Sequence, residues 1–205
     1  MKTKNVFSVG LVLVAGMVAA ATLFFPSVAD ARDIKVGIVD TYSGPAAVFG
    51  NDALNGFKLA VEEINKADTL LLGRRTWQGH AEAFEPAPAD DPFAGLLNSL
   101  KKYVVSTTLK SADAWRNSKI ISENVVDEIR RLKEQPGKDI YIDGSSVLVH
   151  TLAQADLVDE YSLLVFPIVL GSGKKVFPDG IYAGLKLIES KTFPSGVMLL
   201  RYQPD

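Results

Sequence analysis

Residues 139 to 161 read Asp-Ile-Tyr-Ile-Asp-Gly-Ser-Ser-Val-Leu-Val-His-Thr-Leu-Ala-Gln-Ala-Asp-Leu-Val-Asp-Glu-Tyr, and this stretch decides the fold. The β-prone run at 140 to 142 stops at Asp143-Gly144, a turn signal. Beyond it, Leu148 and Leu152 recur at the spacing of one helix face. The pattern predicts a strand, a tight turn and a helix.

Two interpretations of this turn stay open. The backbone N–H groups of a helix N-terminus can hold a phosphate, and Gly144 lets a ligand approach closely while Ser145 and Ser146 add hydroxyl groups. Alternatively, one of the two serines only caps the helix.

Four other stretches accompany the turn. They are Leu-Leu-Leu-Gly-Arg-Arg-Thr-Trp at 70 to 77, Lys-Tyr-Val-Val-Ser-Thr-Thr-Leu at 102 to 109, Leu-Val-Asp-Glu-Tyr at 157 to 161 and Phe-Pro-Ile-Val-Leu-Gly-Ser-Gly-Lys at 166 to 174. In this order they resemble the reductase domain of the riboflavin-biosynthesis deaminase-reductase, whose fold is that of dihydrofolate reductase. The resemblance covers roughly residues 67 to 205, which we take as the reductase domain.

This resemblance implies an α/β fold, a mixed sheet flanked by helices, in a single domain behind an N-terminal signal segment. It also implies NADPH as the cofactor, although the choice between NADPH and NADH stays open. The implied cofactor-binding residues lie in three turns: Gly73, Arg74, Arg75 and Thr76; Ser106 and Thr107; and Gly144, Ser145, Ser146 and Leu148. Related domains often carry Arg at the position of Thr107, so we expect weaker selectivity for the 2′-phosphate.

Hydride transfer to a pterin-like or pyrimidine-like ring is the activity that the resemblance implies. In the family, the first strand and the loop after it line the substrate pocket, and here that region reads Val39-Asp40-Thr41-Tyr42-Ser43-Gly44. Asp40 is the one carboxylate at about the right place, but it matches by position and not by motif. The catalytic residue is therefore not identified, and we expect cofactor binding to exceed turnover.

The first 31 residues carry Lys2 and Lys4, an apolar stretch from Phe7 to Phe25, and Ala29-Asp30-Ala31, which suits a signal peptidase site. They predict a secretory signal; an uncleaved membrane anchor is the alternative. A signal points to the periplasm and a reductase to the cytoplasm, so the location stays unresolved.

Residues 33 to 66 form a strand and a helix that resemble the start of periplasmic binding proteins for branched-chain amino acids. The resemblance rests on Ile-Lys-Val-Gly-Ile-Val-Asp at 34 to 40 and on the run from Asn51 to Asn65. Since no second lobe follows, we expect Ile34 to Asp40 to join the same sheet as 69 to 72 and 140 to 142. A fragment of a secreted solute-binding protein, or a non-catalytic chimera, is the alternative to a reductase.

The amino-acid composition limits the classes of partner and cofactor that the chain could bind. The chain has 205 residues, a net charge of -2, scattered basic residues and no Cys, so nothing favours nucleic acid, a disulfide or a thiolate metal site. We expect no metal site at His80 or His150. Gly171-Ser172-Gly173-Lys174 lacks the full phosphate-loop spacing. We expect a small-molecule substrate and membrane contact only through the signal segment, and a homodimer stays open.

The remaining pattern predicts a helix from Arg74 to Phe84 with Trp77 on its core side, and a loop at 85 to 92, where three prolines fall. Further elements are expected as strands at 103 to 106, 120 to 121, 161 to 170, 185 to 189 and 197 to 202, and as a helix from Val125 that ends before Pro136-Gly137. Asp156, Asp159 and Glu160 are interpreted as the solvated end of a helix and its turn.

Overall fold

The computed structural model describes residues 32, 34–38, 64–88, 90–169, 171–173, 175–177 and 182–205. In this part of the chain eight strands form one sheet: β1 (Ile34–Ile38), β2 (Ala67–Gly73), β3 (Lys101–Val105), β4 (Ser118–Ile121), β5 (Asp139–Asp143), β6 (Glu160–Val165), β7 (Leu185–Thr192) and β8 (Met198–Pro204). The helices are α1 (Arg74–Phe84), α2 (Pro92–Ser99), α3 (Val125–Lys133) and α4 (Ser146–Ala153).

The strand order is β4-β3-β2-β5-β1-β6-β8-β7. Strands β1 to β6 run parallel, whereas β8 is antiparallel to both β6 and β7, so the sheet is mixed as predicted. Strand β1 lies between β5 and β6, with Val36 opposite Ile142 and Tyr161. The prediction that the first strand joins the same sheet as 69 to 72 and 140 to 142 is therefore confirmed, although Val39 and Asp40 lie outside the described residues.

Successive side chains of the central strands point to opposite faces of the sheet, and each face carries a core. Leu71, Ile140 and Ile142 pack on one face with buried residues of α3 and α4. Leu70 and Leu72 pack on the other face with residues of α1 and α2. Strands buried on both faces read as continuous apolar runs, which is why 70 to 72 is uniformly Leu.

Helix α1 has the predicted limits, and Trp77 is buried on its core side, 2% exposed. Its indole Nε1 donates a hydrogen bond of 2.9 Å to Ser118 Oγ, so the polar atom of this large side chain also has a partner. The position of α1 on the sheet is fixed by this residue.

The predicted loop at 85 to 92 ends earlier than expected, because α2 begins at Pro92. The Asp91 carboxylate accepts hydrogen bonds of 2.9 Å from the N–H groups of Phe93 and Ala94, which caps the helix. Proline suits the first helical position because its missing N–H has no partner there anyway. Asp91-Pro92 was therefore a helix start that the run of prolines concealed.

Boundaries of other elements differ by a few residues. Strand β6 ends at Val165 instead of reaching 170, β7 extends to Thr192, and β8 begins at Met198. Glu160, predicted to be solvated, is the first residue of β6 and only 7% exposed. The Asp159 carboxylate forms an ion pair of 2.6 Å with Lys133 Nζ.

Arg32 fastens the start of the described chain to the amino ends of the strands. It is 5% exposed, and its backbone N–H donates to Lys133 O at 2.7 Å. Its guanidinium donates to Lys138 O at 2.7 Å, to Thr69 Oγ1 at 2.9 Å, and to the Asp68 carboxylate. These hydrogen bonds and the ion pair with Asp68 thus fix the position of the chain at Arg32, just before β1.

No helix in the described ranges is long and apolar enough to span a membrane. The apolar stretch from Phe7 to Phe25, the expected signal, lies outside those ranges.

Candidate functional site

The three predicted turns meet at one edge of the sheet. Strands β3, β2 and β5 are neighbours and parallel, so their carboxyl ends share what we call the carboxyl edge. With strands about 4.8 Å apart, the three ends span roughly 10 Å. Ligands of open α/β sheets bind outside the carboxyl ends of strands.

The first turn and the third are in contact. Gly73 ends β2 and is the N-cap of α1, while Ser145 follows β5 and is the N-cap of α4. A Cβ placed on Gly73 would lie 2.5 Å from Ser145 Oγ and 2.6 Å from Ser145 Cβ. Glycine is therefore required at 73 by the close approach of the two helix N-termini.

The polar groups at these helix ends favour an anion. Gly73 has no side chain that could cap α1, and the Ser145 side chain makes no hydrogen bond to α4, so the capping interpretation of Ser145 is not what the structure shows. Neither helix has an acidic residue in its first turn, whereas α3, at the end of β4, carries Asp127 and Glu128 there. Free N–H groups and the helix dipoles attract negative charge at α1 and α4.

The geometry of the β5 turn depends on left-handed backbone at two residues. Gly144 has φ 75°, which suits glycine, and Ser145 has φ 71°. A Cβ on Gly144 would lie 3.8 Å from Thr76 Oγ1, so the first turn of α1 faces this glycine. The structure thus brings together Gly73, Thr76, Gly144 and Ser145.

The two predicted arginines differ in orientation. Arg74 Nη1 donates to Gln78 Oε1 at 2.9 Å, which holds the guanidinium over the helix. Arg75 is exposed at the start of the same helix. The bond to Gln78 occupies one of the five N–H donors of Arg74, so the guanidinium keeps donors for a paired contact with a phosphate.

The β3 turn has a structural hydroxyl and an exposed neighbour. Ser106 is 8% exposed, and its Oγ accepts hydrogen bonds from the N–H groups of Thr108 at 3.2 Å and Leu109 at 2.9 Å. Its hydroxyl therefore shapes the turn, and Thr107 is exposed beside it.

Leu148 is set apart from the other predicted residues. Its side chain is 5% exposed and belongs to the core that includes Leu71 and Ile142. Only its backbone N–H, in the first turn of α4, faces the carboxyl edge as a donor. Ser146, in contrast, is partly exposed at the first position of that helix.

A polar pair beside the edge was not predicted. His80 Nε2 lies 2.7 Å from Asp143 Oδ2, with the side chains 26% and 22% exposed. Asp143 is the last residue of β5, pairs with Gly37 of β1 and directly precedes the Gly144 turn. The two residues are 63 positions apart, so no local spacing could have indicated the pair.

A buried lysine packs against Trp115, the ring that also contacts His80. Lys102 Nζ donates to Leu100 O at 2.8 Å and lies 4.6 Å from the centre of the Trp115 ring. Burial lowers the pKa of Lys102 to about 8. Its contacts with the carbonyl groups that end α2 give it a structural role.

The described residues contain no group of three or more His, Asp or Glu arranged to hold a metal ion.

Two bacterial proteins of known sequence match this chain over most of their own length. The uncharacterised protein YyaP of Bacillus subtilis (strain 168) is 36% identical over 143 residues, which are 68% of this chain and 75% of YyaP. The uncharacterised protein YwjB of the same organism is 32% identical over 155 residues, 74% of this chain and 80% of YwjB.

Solved structures share the fold at low identity. A pyrimidine reductase-like protein of Corynebacterium diphtheriae superposes with a TM-score of 0.59 at 16% identity, covering 86% of this chain and 93% of that one. Dihydrofolate reductase of Enterococcus faecalis, complexed with NADP(H) and RAB-propyl, gives a TM-score of 0.54 at 17% identity, covering 84% and 96%. The predicted dihydrofolate reductase-like fold is confirmed.

The resemblance of the front segment also has a counterpart. The Leu/Ile/Val-binding protein of Escherichia coli (strain K12) is 30% identical over 117 residues, which are 55% of this chain but only 31% of that protein. The similarity covers too little of the binding protein to include its whole architecture.

The sequence model of the RibD C-terminal domain matches residues 37 to 199, so the match begins within β1 and reaches into β8. It therefore includes the three turns of the carboxyl edge, the end of β1 and the His80–Asp143 pair. With this match across most of its length, the chain belongs to the RibD C-terminal domain family.

Proposed function

We propose that the chain is an NADPH-dependent reductase of a pterin-like or pyrimidine-like ring. The observation that carries this proposal is the contact of two helix N-termini, through Gly73 and Ser145, at the carboxyl edge. Two helix N-termini that lie side by side at one edge of the sheet suit the paired phosphates of a dinucleotide. Membership of the RibD C-terminal domain family supports the same reaction class.

The residues present fit such a cofactor. The backbone from Gly73 to Thr76 and from Gly144 to Ser146 would hold the pyrophosphate region, and Ser106 and Thr107 would lie toward the adenosine end. A bound nicotinamide supplies the hydride. The chain's own groups then orient the two rings and exclude water, because hydride transfer needs close and well-aligned reactants.

Selectivity for the 2′-phosphate is expected to be modest. Thr107 offers a hydroxyl where a guanidinium would bond the phosphate in pairs, and Arg75 is the exposed cation of the neighbouring turn. In this proposal NADPH binds more tightly than NADH. The difference in affinity is smaller than the difference that an arginine at position 107 would produce.

Asp143 is the carboxylate that we place beside the substrate. It stands between the phosphate turn at Gly144 and Gly37 of β1, where the reacting rings would meet. Residues 39 to 45, which follow β1 in the sequence, lie outside the described residues. The small-molecule substrate is therefore proposed by class only.

Titration of the purified protein with NADPH, followed by nicotinamide fluorescence, tests the proposal. Arg74→Ala and Arg75→Ala should each weaken binding roughly ten- to a hundred-fold, the loss of about 1.5 to 3 kcal/mol expected for a charge-assisted contact. Lys191→Ala, on the distant edge strand β7, is the matched control. A wild-type protein that leaves NADPH fluorescence unchanged, as a solute-binding protein would, contradicts the reductase.

Location is a separate proposal. We propose that residues 1 to 31 direct the chain to the secretory route, on the strength of their charged start, apolar stretch and small residues at 29 to 31. Cell fractionation with mass spectrometry of the N-terminus decides this. A full-length product in the cytosol would show that the signal is ignored.

A further inference from the structure

The His80–Asp143 pair lies on the sheet face covered by α1, next to the turn proposed for the phosphates. An ionised carboxylate can only accept hydrogen bonds, so His80 Nε2 must be the donor in the 2.7 Å contact. Only one carboxylate oxygen, Oδ2, is engaged by His80. Within the described ranges, no other hydrogen bond reaches this carboxylate, and Oδ1 is free to accept one.

The imidazole of His80 is itself held in place. Its ring meets Phe84 edge to face at a centroid distance of 5.4 Å and Trp115 at 6.0 Å, both with an interplanar angle of 78°. Trp115 is fully buried, and its Nε1 donates to Asn98 Oδ1 at 2.6 Å. A ring clamped by two aromatic side chains, one of them anchored, has little rotational freedom.

The direction of the pair follows from the helix. His80 lies on the second turn of α1, and helical side chains lean toward the helix N-terminus, here the carboxyl edge. The imidazole therefore reaches from the interior toward Asp143 at the strand end. Both side chains stay about one quarter exposed, so a ligand at the edge can touch the carboxylate.

We propose that His80 is a positioning residue that fixes the Asp143 carboxylate so that its free oxygen accepts an N–H group of the substrate ring. The proposal rests on the proposed reductase function and names the device that orients the ring there. An aminated nitrogen heterocycle such as a diaminopyrimidine presents N–H donors to this acceptor. An apolar ring edge gains nothing from it, because a desolvated carboxylate left without a donor is costly.

Two variants of His80 separate the donated hydrogen bond from mere volume. His80→Gln keeps an N–H donor at about the position of Nε2, whereas His80→Leu fills the same space between the aromatic rings without a donor. Asp143→Asn keeps the shape of the acceptor and removes its charge. Glu82→Gln, on the exposed side of the same helix, is the control.

The probe is 2,4-diaminopyrimidine, titrated into the full-length protein saturated with NADPH and followed by calorimetry. We expect Asp143→Asn to lose roughly ten- to a hundred-fold in affinity, since a charge-assisted hydrogen bond is removed. His80→Leu should lose several-fold, His80→Gln should retain most of the wild-type affinity, and Glu82→Gln should match wild type. NADPH affinity should stay constant throughout the set.

Failure of this inference differs from failure of the proposed function. If wild-type protein binds NADPH but binds the diaminopyrimidine no better than Asp143→Asn does, the acceptor role is wrong. If His80→Gln falls as far as His80→Leu, the hydrogen bond from His80 does not matter and the positioning role is wrong. Absence of NADPH binding in the wild-type protein would instead contradict the reductase itself.

Discussion

Gly73→Ala tests the contact on which the candidate site depends. The backbone of Gly73, with φ −78° and ψ 156°, is open to alanine, so any effect comes from the added methyl group. That methyl would stand 2.5 Å from Ser145 Oγ and 2.6 Å from Ser145 Cβ. Ordinary carbon contacts are about 3.5 to 4 Å, so the two turns must separate by about 1 Å.

Ser145 has little freedom to yield. A change of rotamer would move Oγ but not Cβ, and the left-handed backbone at φ 71° leaves few alternatives for a residue with a side chain. We therefore expect Gly73→Ala to lower the free energy of unfolding by about 1 to 3 kcal/mol, the usual cost of overpacking. NADPH affinity should fall roughly tenfold or more, because N–H groups of the two helices no longer converge.

A second substitution should reverse the first. Ser145→Gly removes both clashing atoms and places at φ 71° a residue that adopts it readily. In the double variant we expect a coupling free energy of about 1 to 3 kcal/mol in favour of stability. Gly79→Ala is the matched control, since nothing lies within 4 Å of its added methyl group, and it should stabilise the helix by about 0.5 to 1 kcal/mol.

Urea unfolding and NADPH fluorescence titration on five proteins provide the measurements: wild type, the two single variants Gly73→Ala and Ser145→Gly, the double variant and Gly79→Ala. Wild-type stability and affinity in Gly73→Ala would refute the close contact of the helix ends. A double variant as unstable as the single one would show that Ser145 is not the obstacle.

Three further predictions concern stability and turnover. Burial lowers the pKa of Lys102 from 10.5 to about 8, so above pH 8 the unfolded chain binds more protons than the native one and stability rises with pH. Lys102→Met should lack this rise, which is about 1.5 kcal/mol between pH 8 and 9.5, and parallel urea-unfolding profiles would contradict the prediction. Arg32→Ala should cost about 2 to 4 kcal/mol in thermal or urea unfolding, because it removes the cation paired with Asp68 and leaves Lys138 O and Thr69 Oγ1 without the guanidinium donor. A change below about 0.5 kcal/mol would show that the network is dispensable. Replacing residues 33 to 45 by the corresponding strand and loop of a reductase should raise turnover of a dihydropterin with little change in NADPH affinity, and a native chain that already turns over at about 1 to 1000 per second would contradict this.

The acid side of the Arg32 network gives an additional readout for that variant. Burial alone would raise the pKa of Asp68, but hydrogen bonds from the Lys138 N–H and Thr69 Oγ1, together with the charge of Arg32, lower it below its usual 3.8. The stability that this carboxylate contributes is present above pH 3.8 and is lost as pH falls below it. Arg32→Ala should show a smaller loss over that range.

Much of the local structure could be predicted because each element carries its own signal. The limits of α1 follow from Gly73 and the 3.6-residue spacing, and the strand at 140 to 142 follows from its apolar run before Asp143-Gly144. Helix α2 was missed because three prolines suggested a loop, although Asp91-Pro92 is a cap and first-turn pair. Local sequence signals therefore predicted these elements, except at 85 to 92, where the prolines indicated a loop and Asp91-Pro92 indicated a helix start.

Contacts between distant residues could not be predicted. The Gly73–Ser145 contact requires β2 and β5 to be neighbours, and only the sheet order, read from the structure, shows that they are. The same holds for His80 and Asp143, since a histidine without a partner in its own segment is indistinguishable from a surface residue. Leu148 was predicted as a cofactor-binding residue from its place in the motif. Its backbone N–H lies at the carboxyl edge, but its side chain is part of the core.

The central position of β1 has a consequence for synthesis on the ribosome. Its two neighbours, β5 and β6, are completed only when Val165 has been made, about 130 residues after Ile38, which at roughly 5 to 20 residues per second takes about 6 to 26 seconds. Until Asp143 has been made the first strand has neither neighbour, and the sheet cannot be completed before Val165. Any factor that recognises residues 1 to 31 therefore meets a nascent chain that has not yet folded.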